Sequence, residues 1–168
     1  MPLSGLKLTE MKRFISLFAM VIFMLHIAQA QQVKTTYELT LDGAKDIMAT
    51  AMAYAKEHNA PGAAVAIVDA AGTLVLLERL DGTFLISSEV SLGKARSAAL
   101  FRFETLKLEN AINNGRPALI STGEVALKGG IPITYKGKII GAIGVSGAAS
   151  ADQDVEIAQA GLRATFLQ

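Results

Sequence analysis

From residue 40 to 58 the apolar side chains recur at helical spacing: Ala44, Ile47, Met48, Ala51 and Ala55, with His58 closing the stripe. Asp42, Lys45, Asp46, Lys56 and Glu57 fall away from it, so the pattern predicts an amphipathic helix. Thr40 is the expected N-cap, and Asp42 suits the positive end of the helix dipole. Asn59-Ala60-Pro61-Gly62 ends the element. Strand patterns follow at Ala63–Asp69 and Thr73–Leu80, joined by Asp69-Ala70-Ala71-Gly72 as a short hairpin. Asp81-Gly82 opens a loop, and Ser87 or Ser88 is placed to cap a second helix reaching about Phe103. A shorter helix is expected from Thr105 to Ile112, stopped by Asn113-Asn114-Gly115. An irregular connection runs from Arg116 to Gly130, then strands at 131–135 and 138–146, and a last helix from Ala151 to Phe166.

Two features of this pattern bear on packing. On the second helix Gly93, Ser97 and Phe101 lie one turn apart, and small residues at that spacing let another backbone come close. In Lys138–Val145 one strand face carries Ile139, Gly141, Ile143 and Val145, and the other Ile140, Ala142 and Gly144. The first hairpin is similar, with Leu74 and Leu76 on one side and Val75 and Leu77 on the other. A half-solvated antiparallel sheet alternates apolar with polar, so both faces here call for cover. Whatever the helices leave open points to a homo-oligomer.

The first thirty residues follow other rules. Met11-Lys12-Arg13 starts a basic region, Phe14–Ile27 is apolar but too short to span a bilayer comfortably, and Ala28-Gln29-Ala30 matches a small-residue cleavage site. Residues 1–30 are therefore expected to be a signal peptide cut after Ala30, with Met11 a candidate true start. A short polar leader, 31–38, would precede one domain over 39–168, exported to the periplasm or the exterior with no membrane span after cleavage. A buried helix or retained anchor is the alternative reading of the same residues.

Removing Lys7, Lys12, Arg13 and Glu10 from the chain's 16 basic and 15 acidic residues leaves 13 against 14. No basic patch survives, so there is no case for nucleic acid. With no cysteine, thiol catalysis and Cys-ligated metal are excluded. His58 is the only histidine beyond the leader, so any imidazole chemistry rests on it alone.

The segment Gly129–Gly161 is the most distinctive. Its glycines do not form G-x-G-x-x-G, and hairpins rather than a βαβ unit precede it, which rules out the dinucleotide-binding reading. Gly141 and Gly144 are expected to make room for helices on the sheet. An anion pocket at Ser146-Gly147 is the rival, weakened by Asp152 and Asp154 already lying at that helix end.

Gly129-Gly130-Ile131-Pro132-Ile133, Gly141-Ala142-Ile143-Gly144-Val145-Ser146-Gly147 and Gln153-Asp154-Val155-Glu156 through Ala160-Gly161-Leu162 resemble the GlcG/HbpS family. So do Val68-Asp69-Ala70-Ala71-Gly72, Arg79-Leu80-Asp81-Gly82 and Lys94-Ala95-Arg96-Ser97-Ala98-Ala99. The resemblance runs over nearly all of 38–166. It implies a single α+β domain with profilin-like layering, an antiparallel sheet of about five strands flanked by helices, often built into homo-oligomers. Some exported members bind haem and protect against or sense oxidative stress; related domains are fused to cobalamin adenosyltransferases.

Haem needs an apolar slot, an iron ligand and cations for its propionates. His58 is a weak metal-ligand candidate, since a histidine in a last helical turn is commonly a dipole partner. Met48, Met52, Tyr54 and Tyr135 are further ligand types with ordinary structural explanations. Lys94 and Arg96 are candidates to meet carboxylates near Phe101; the alternative is a solvated helix face. Glu124, Lys128, Gly129 and Gly130 complete the candidate ligand-binding set, in the irregular connection where functional residues often sit. No motif carries enzyme chemistry, so no catalytic residue is assigned. The expected function is an exported small-molecule-binding protein taking haem or a related tetrapyrrole. An enzyme of small-molecule or haem breakdown, or a non-catalytic partner of another exported protein, are the alternatives.

Overall fold

A computed structural model describes residues 11–13, 15–18 and 36–164. The chain divides into two units, 1–35 and 36–168. In the first, Met11–Arg13 and Ile15–Phe18 are helical; the expected cleavage site at Ala28-Gln29-Ala30 and the start of the polar leader lie outside the described residues. Among those described, no helix is long and apolar enough to cross a membrane.

The second unit begins with helix α1, Leu41–Glu57, where the Thr40 hydroxyl accepts the Gly43 N–H at 3.2 Å as its N-cap. Strands β1, Ala64–Asp69, and β2, Leu74–Arg79, form the first hairpin. The Asp69 carboxylate closes its turn by accepting the N–H groups of Ala71 and Thr73 at 2.8 and 2.9 Å. Helix α2 spans Ser87–Phe101, helix α3 Leu106–Asn113, and a 3₁₀ turn Pro117–Thr122. Strands β3, Gly130–Tyr135, and β4, Lys138–Ser146, make the second hairpin, and helix α4, Ala151–Gly161, ends the fold.

Neither Ser87 nor Ser88 caps α2, because Ile86 occupies the cap position and Ser87 is buried. The last helix stops at Gly161, short of the expected Phe166, itself outside the described residues.

The sheet is antiparallel in the order β2-β1-β4-β3. It has four strands among the described residues, one fewer than the family resemblance implies. The segment 36–40 forms no strand; Leu39 docks on the core and Tyr37 packs edge-on against Tyr135. Helix α2 covers one face through Ala95, Ala98 and Ala99 on Ala66, Val68 and Ala142. Helices α1 and α4 cover the other, around Ile47, Met48, Val65, Ile67, Ile143, Val145 and Ile157. The chain's own helices thus cover the inner strands on both faces, and uncovered sheet no longer argues for assembly.

Gly144 lets α2 lie this close, since a Cβ there would collide with the Ser91 carbonyl and the Ala95 backbone. Gly141 differs from expectation: a Cβ there would strike the Val68 carbonyl of the neighbouring strand and reach Leu39, not a helix.

One bulge changes the reading of β4. Ile133 pairs with Gly141 but Thr134 pairs with Ile139, so Ile140 is the extra residue. Ile140 therefore joins the α1/α4 core with Ile143 instead of sharing a face with Ala142. Ile139 takes the place opposite Thr134, towards the β3 edge. Pro132 fits an edge strand because it has no N–H to offer a further neighbour.

Candidate functional site

Two adjoining structures lie where α2, α3, β3 and α4 meet in the second unit. The first is a strap, the connection 123–130, held down by buried polar contacts. Lys94 is 3 % exposed and Asp154 5 %. The Lys94 ammonium donates to Asp154 Oδ2 at 2.9 Å and to the Val145 carbonyl at 2.8 Å. Asp154 Oδ1 accepts the Ala148 N–H at 3.1 Å. The cluster satisfies both carboxylate oxygens, the condition a buried ion pair must meet to be tolerated.

Gly129 lies directly over this pair. With φ at +114° it occupies a conformation that side chains rarely adopt, and a Cβ there would press on Lys94 Nζ, Asp154 Cβ and the Val145 carbonyl. Gly130 is as restricted, against the Lys94 carbonyl. Its N–H donates to Thr105 Oγ1 at 2.9 Å, while its carbonyl accepts the Thr105 N–H at 3.0 Å. Outside this buried centre, Lys128 pairs with Asp152 at 2.7 Å and donates its backbone N–H to Glu109 at 2.8 Å. The hydrogen bond to Asp152 holds the Lys128 ammonium above its ordinary range, against desolvation and with help from the Asp152 and Glu109 charges. Glu124 accepts a long hydrogen bond from Ser97 at 3.5 Å, and Val125 fills the space that Gly93 leaves open.

The second structure is a cleft of about 520 Å³ at the β3 edge. Thr105 builds it, because its three hydrogen bonds to Gly130 fix the turn after α2 against β3. Phe103, Ile131, Pro132, Ile139 and Leu162 supply apolar walls, with Thr134 beside them and Arg102, Glu104 and Lys107 around the opening. Lys107 lies over the Phe103 ring at 5.7 Å, and Phe101 tilts against Phe103 with centroids 5.7 Å apart. Arg102 caps the end of α2 with φ at +63°, a position glycine or asparagine usually fills.

The candidate residues read from the sequence divide accordingly. Lys94, Glu124, Lys128, Gly129 and Gly130 do come together, as the strap. Lys94 is buried and bonded, and does not lie on a solvated helix face. Phe101 sits behind the cleft wall on Phe103. Arg96 is elsewhere, exposed beside the Gly72 turn of the first hairpin. His58 is exposed, stacks on Tyr54 at 3.7 Å with Nδ1 3.0 Å from the Tyr54 carbonyl, and does not line the cleft. Among the described residues no group of three His, Cys, Asp or Glu side chains could hold a metal ion.

Sequence reasoning missed Arg102, Phe103, Lys107 and Asp154. For Asp154 a signal existed: Ser87, Ser91, Lys94 and Ala98 fall on one helical stripe, and all are buried. A lysine on such a stripe requires a buried anion.

The described fold is a small α+β domain with an open, partly apolar cleft at one edge of its sheet. Residues 39–163 match the family described as haem degrading protein HbpS-like, and the chain belongs to that family. It is 39% identical to protein GlcG of Escherichia coli strain K12 over 114 residues, covering 67% of this chain and 84% of that protein. Among solved structures it is similar to a PduOC:heme complex, with TM-score 0.70 and 27% identity, covering 79% of this chain and 98% of that one. The crystal structure of HbpS superimposes with TM-score 0.72 at 30% identity, covering 82% and 97%.

The residues present can be weighed against haem directly. The cleft provides the apolar walls and the cations that a dicarboxylate macrocycle needs. Among the described residues its lining has no His, Met, Cys or Tyr to take an axial position on iron. The fit is to the macrocycle and its carboxylates.

Proposed function

We propose that this chain is an exported binding protein for haem or a related tetrapyrrole, held in the cleft at the β3 edge. The observation that carries the reading is the cleft itself, with its walls of Phe103, Ile131, Pro132, Ile139 and Leu162 and its cations Arg102 and Lys107. Family membership and the likeness to a haem-bound PduOC structure support the same ligand class. The strap supplies rigidity: Lys94, Asp154 and Thr105 fix Gly129 and Gly130, and so the wall that begins at Ile131. Export rests on the basic, apolar and small-residue order of residues 11–30.

A homo-oligomer is part of this proposal. Its support is the loop before α2, where Phe84, Leu85 and Ile86 are 74, 85 and 64 % exposed in sequence.

The test is a titration of ferric haem into the chain, followed by the Soret band. A saturable shift at micromolar haem is expected. A linear response without saturation, from protein shown to be folded by circular dichroism, refutes the reading.

A second reading, an enzyme of small-molecule breakdown acting at the strap and not in the cleft, draws on the half-buried position of Glu124 against Ser97. Loss of turnover in Glu124→Gln with binding retained would establish it; unchanged turnover would remove Glu124 from any such role.

A further inference from the structure

The cleft's chemistry carries one step more, which rests on the reading just proposed. We infer that the site is indifferent to the metal: it holds the macrocycle by its face and by its carboxylates, with Arg102 and Lys107 as the groups that receive them.

Three observations support this. Among the described residues the lining contains no strong iron ligand, and Glu104 and Thr134 are its only side-chain oxygens. His58, the single imidazole in 36–168, is on the far end of α1 and already engaged by Tyr54. The cations, by contrast, outnumber the one acid at the opening.

Arg102 gives the most specific sign. A helix that ends in a left-handed residue ordinarily ends in glycine, which adopts that conformation without steric cost. Here the position is filled by an arginine at φ +63° whose guanidinium has no hydrogen-bond or ion-pair partner among the described residues. The backbone conformation caps α2 through the Arg102 N–H on the Ala98 carbonyl, a bond glycine would make as well, and the arginine side chain adds no fold contact among the described residues. What it does bring is a planar, five-donor cation at the mouth of an apolar cleft, the group best suited to bind a carboxylate in two-point fashion. Lys107 adds a second cation on the same opening, steadied over the Phe103 ring. Apolar walls with two cations above them describe a flat, amphiphilic dicarboxylate.

Equilibrium titrations of the folded chain with ferric protoporphyrin IX and with metal-free protoporphyrin IX test this, read by absorbance and by porphyrin fluorescence. The two ligands are expected to bind with Kd values within about threefold of each other. Arg102→Gly and Lys107→Gln are each expected to weaken both ligands about fivefold, the size of one partly exposed ion pair. Arg102→Gly should keep its melting temperature, because glycine relieves the strained backbone; a weakened variant that melts normally has lost a ligand contact and not its fold. If neither ligand saturates, the proposed function itself fails. If ferric protoporphyrin binds and the metal-free form does not, iron ligation carries the affinity and this inference is overturned while the proposed function stands. If both bind and neither substitution matters, the carboxylates are held elsewhere and the inference is again overturned.

Discussion

Replacing Asp154 by asparagine is the sharpest perturbation of the scaffold under the cleft. The substitution keeps the shape and still offers an acceptor to the Ala148 N–H, but it leaves the Lys94 ammonium with only the Val145 carbonyl. Lys94 is almost wholly out of solvent. Removing one partner of such a pair strands the other charge, at a cost of about 3–5 kcal/mol. Against a total stability of about 5–15 kcal/mol this is a large fraction. It corresponds to a fall in Tm of roughly 10–20 °C for a domain of this size. Urea unfolding of wild type and Asp154→Asn, followed by circular dichroism, measures it. The double variant Lys94→Met, Asp154→Asn removes the stranded charge, and it should recover to within about 2 kcal/mol of wild type, since a buried pair is often worth little against an apolar replacement. A loss below about 1 kcal/mol in Asp154→Asn would show the pair behaving as a solvated one, and the account of the strap would be wrong.

The other predictions are of the same kind. Thr105→Val deprives the buried Gly130 N–H of its acceptor and should cost about 1–3 kcal/mol in thermal unfolding, while Thr105→Ser should cost less. Gly144→Ala drives a methyl group into the α2 backbone and should lose about 1–3 kcal/mol or more by the same measurement. The Lys128 ammonium, held above 10.5 by Asp152, contributes its share of stability at neutral pH and loses it only as alkaline pH passes its folded value. An NMR titration should therefore show the Lys128 side chain titrating lower in Asp152→Asn than in wild type; an unchanged midpoint contradicts the contact. The proposed homo-oligomer predicts that Leu85→Glu lowers the sedimentation coefficient relative to wild type, and an unaltered value excludes the 84–86 loop as its contact.

Local rules sufficed for much of the fold. Period and punctuation located α1, both hairpins and the start of α4, and Thr40, Asp69 and Pro61-Gly62 act on neighbours within a few residues. They failed where geometry depends on distant partners. The β4 bulge at Ile140 arises from pairing with β3, so strict alternation placed it on the wrong face. Helix α2 has weak apolar contrast, since it buries serines and a lysine against small residues, and the role of Lys94 therefore depended on Asp154 sixty positions on. The strap residues were legible as a group because glycines and charges concentrate in 124–130. The cleft was not: Arg102 reads as an ordinary surface charge until its left-handed backbone and the β3 edge are seen together.

The central claim is that a tetrapyrrole occupies the cleft at the β3 edge. The most direct measurement is amide chemical-shift mapping of the isotopically labelled chain with metal-free protoporphyrin IX, which is diamagnetic. The account predicts saturable shifts concentrated at residues 102–107 and 131–139. Shifts centred on Tyr54 and His58, or no saturable change in folded protein with either metal-free or ferric protoporphyrin, would contradict it.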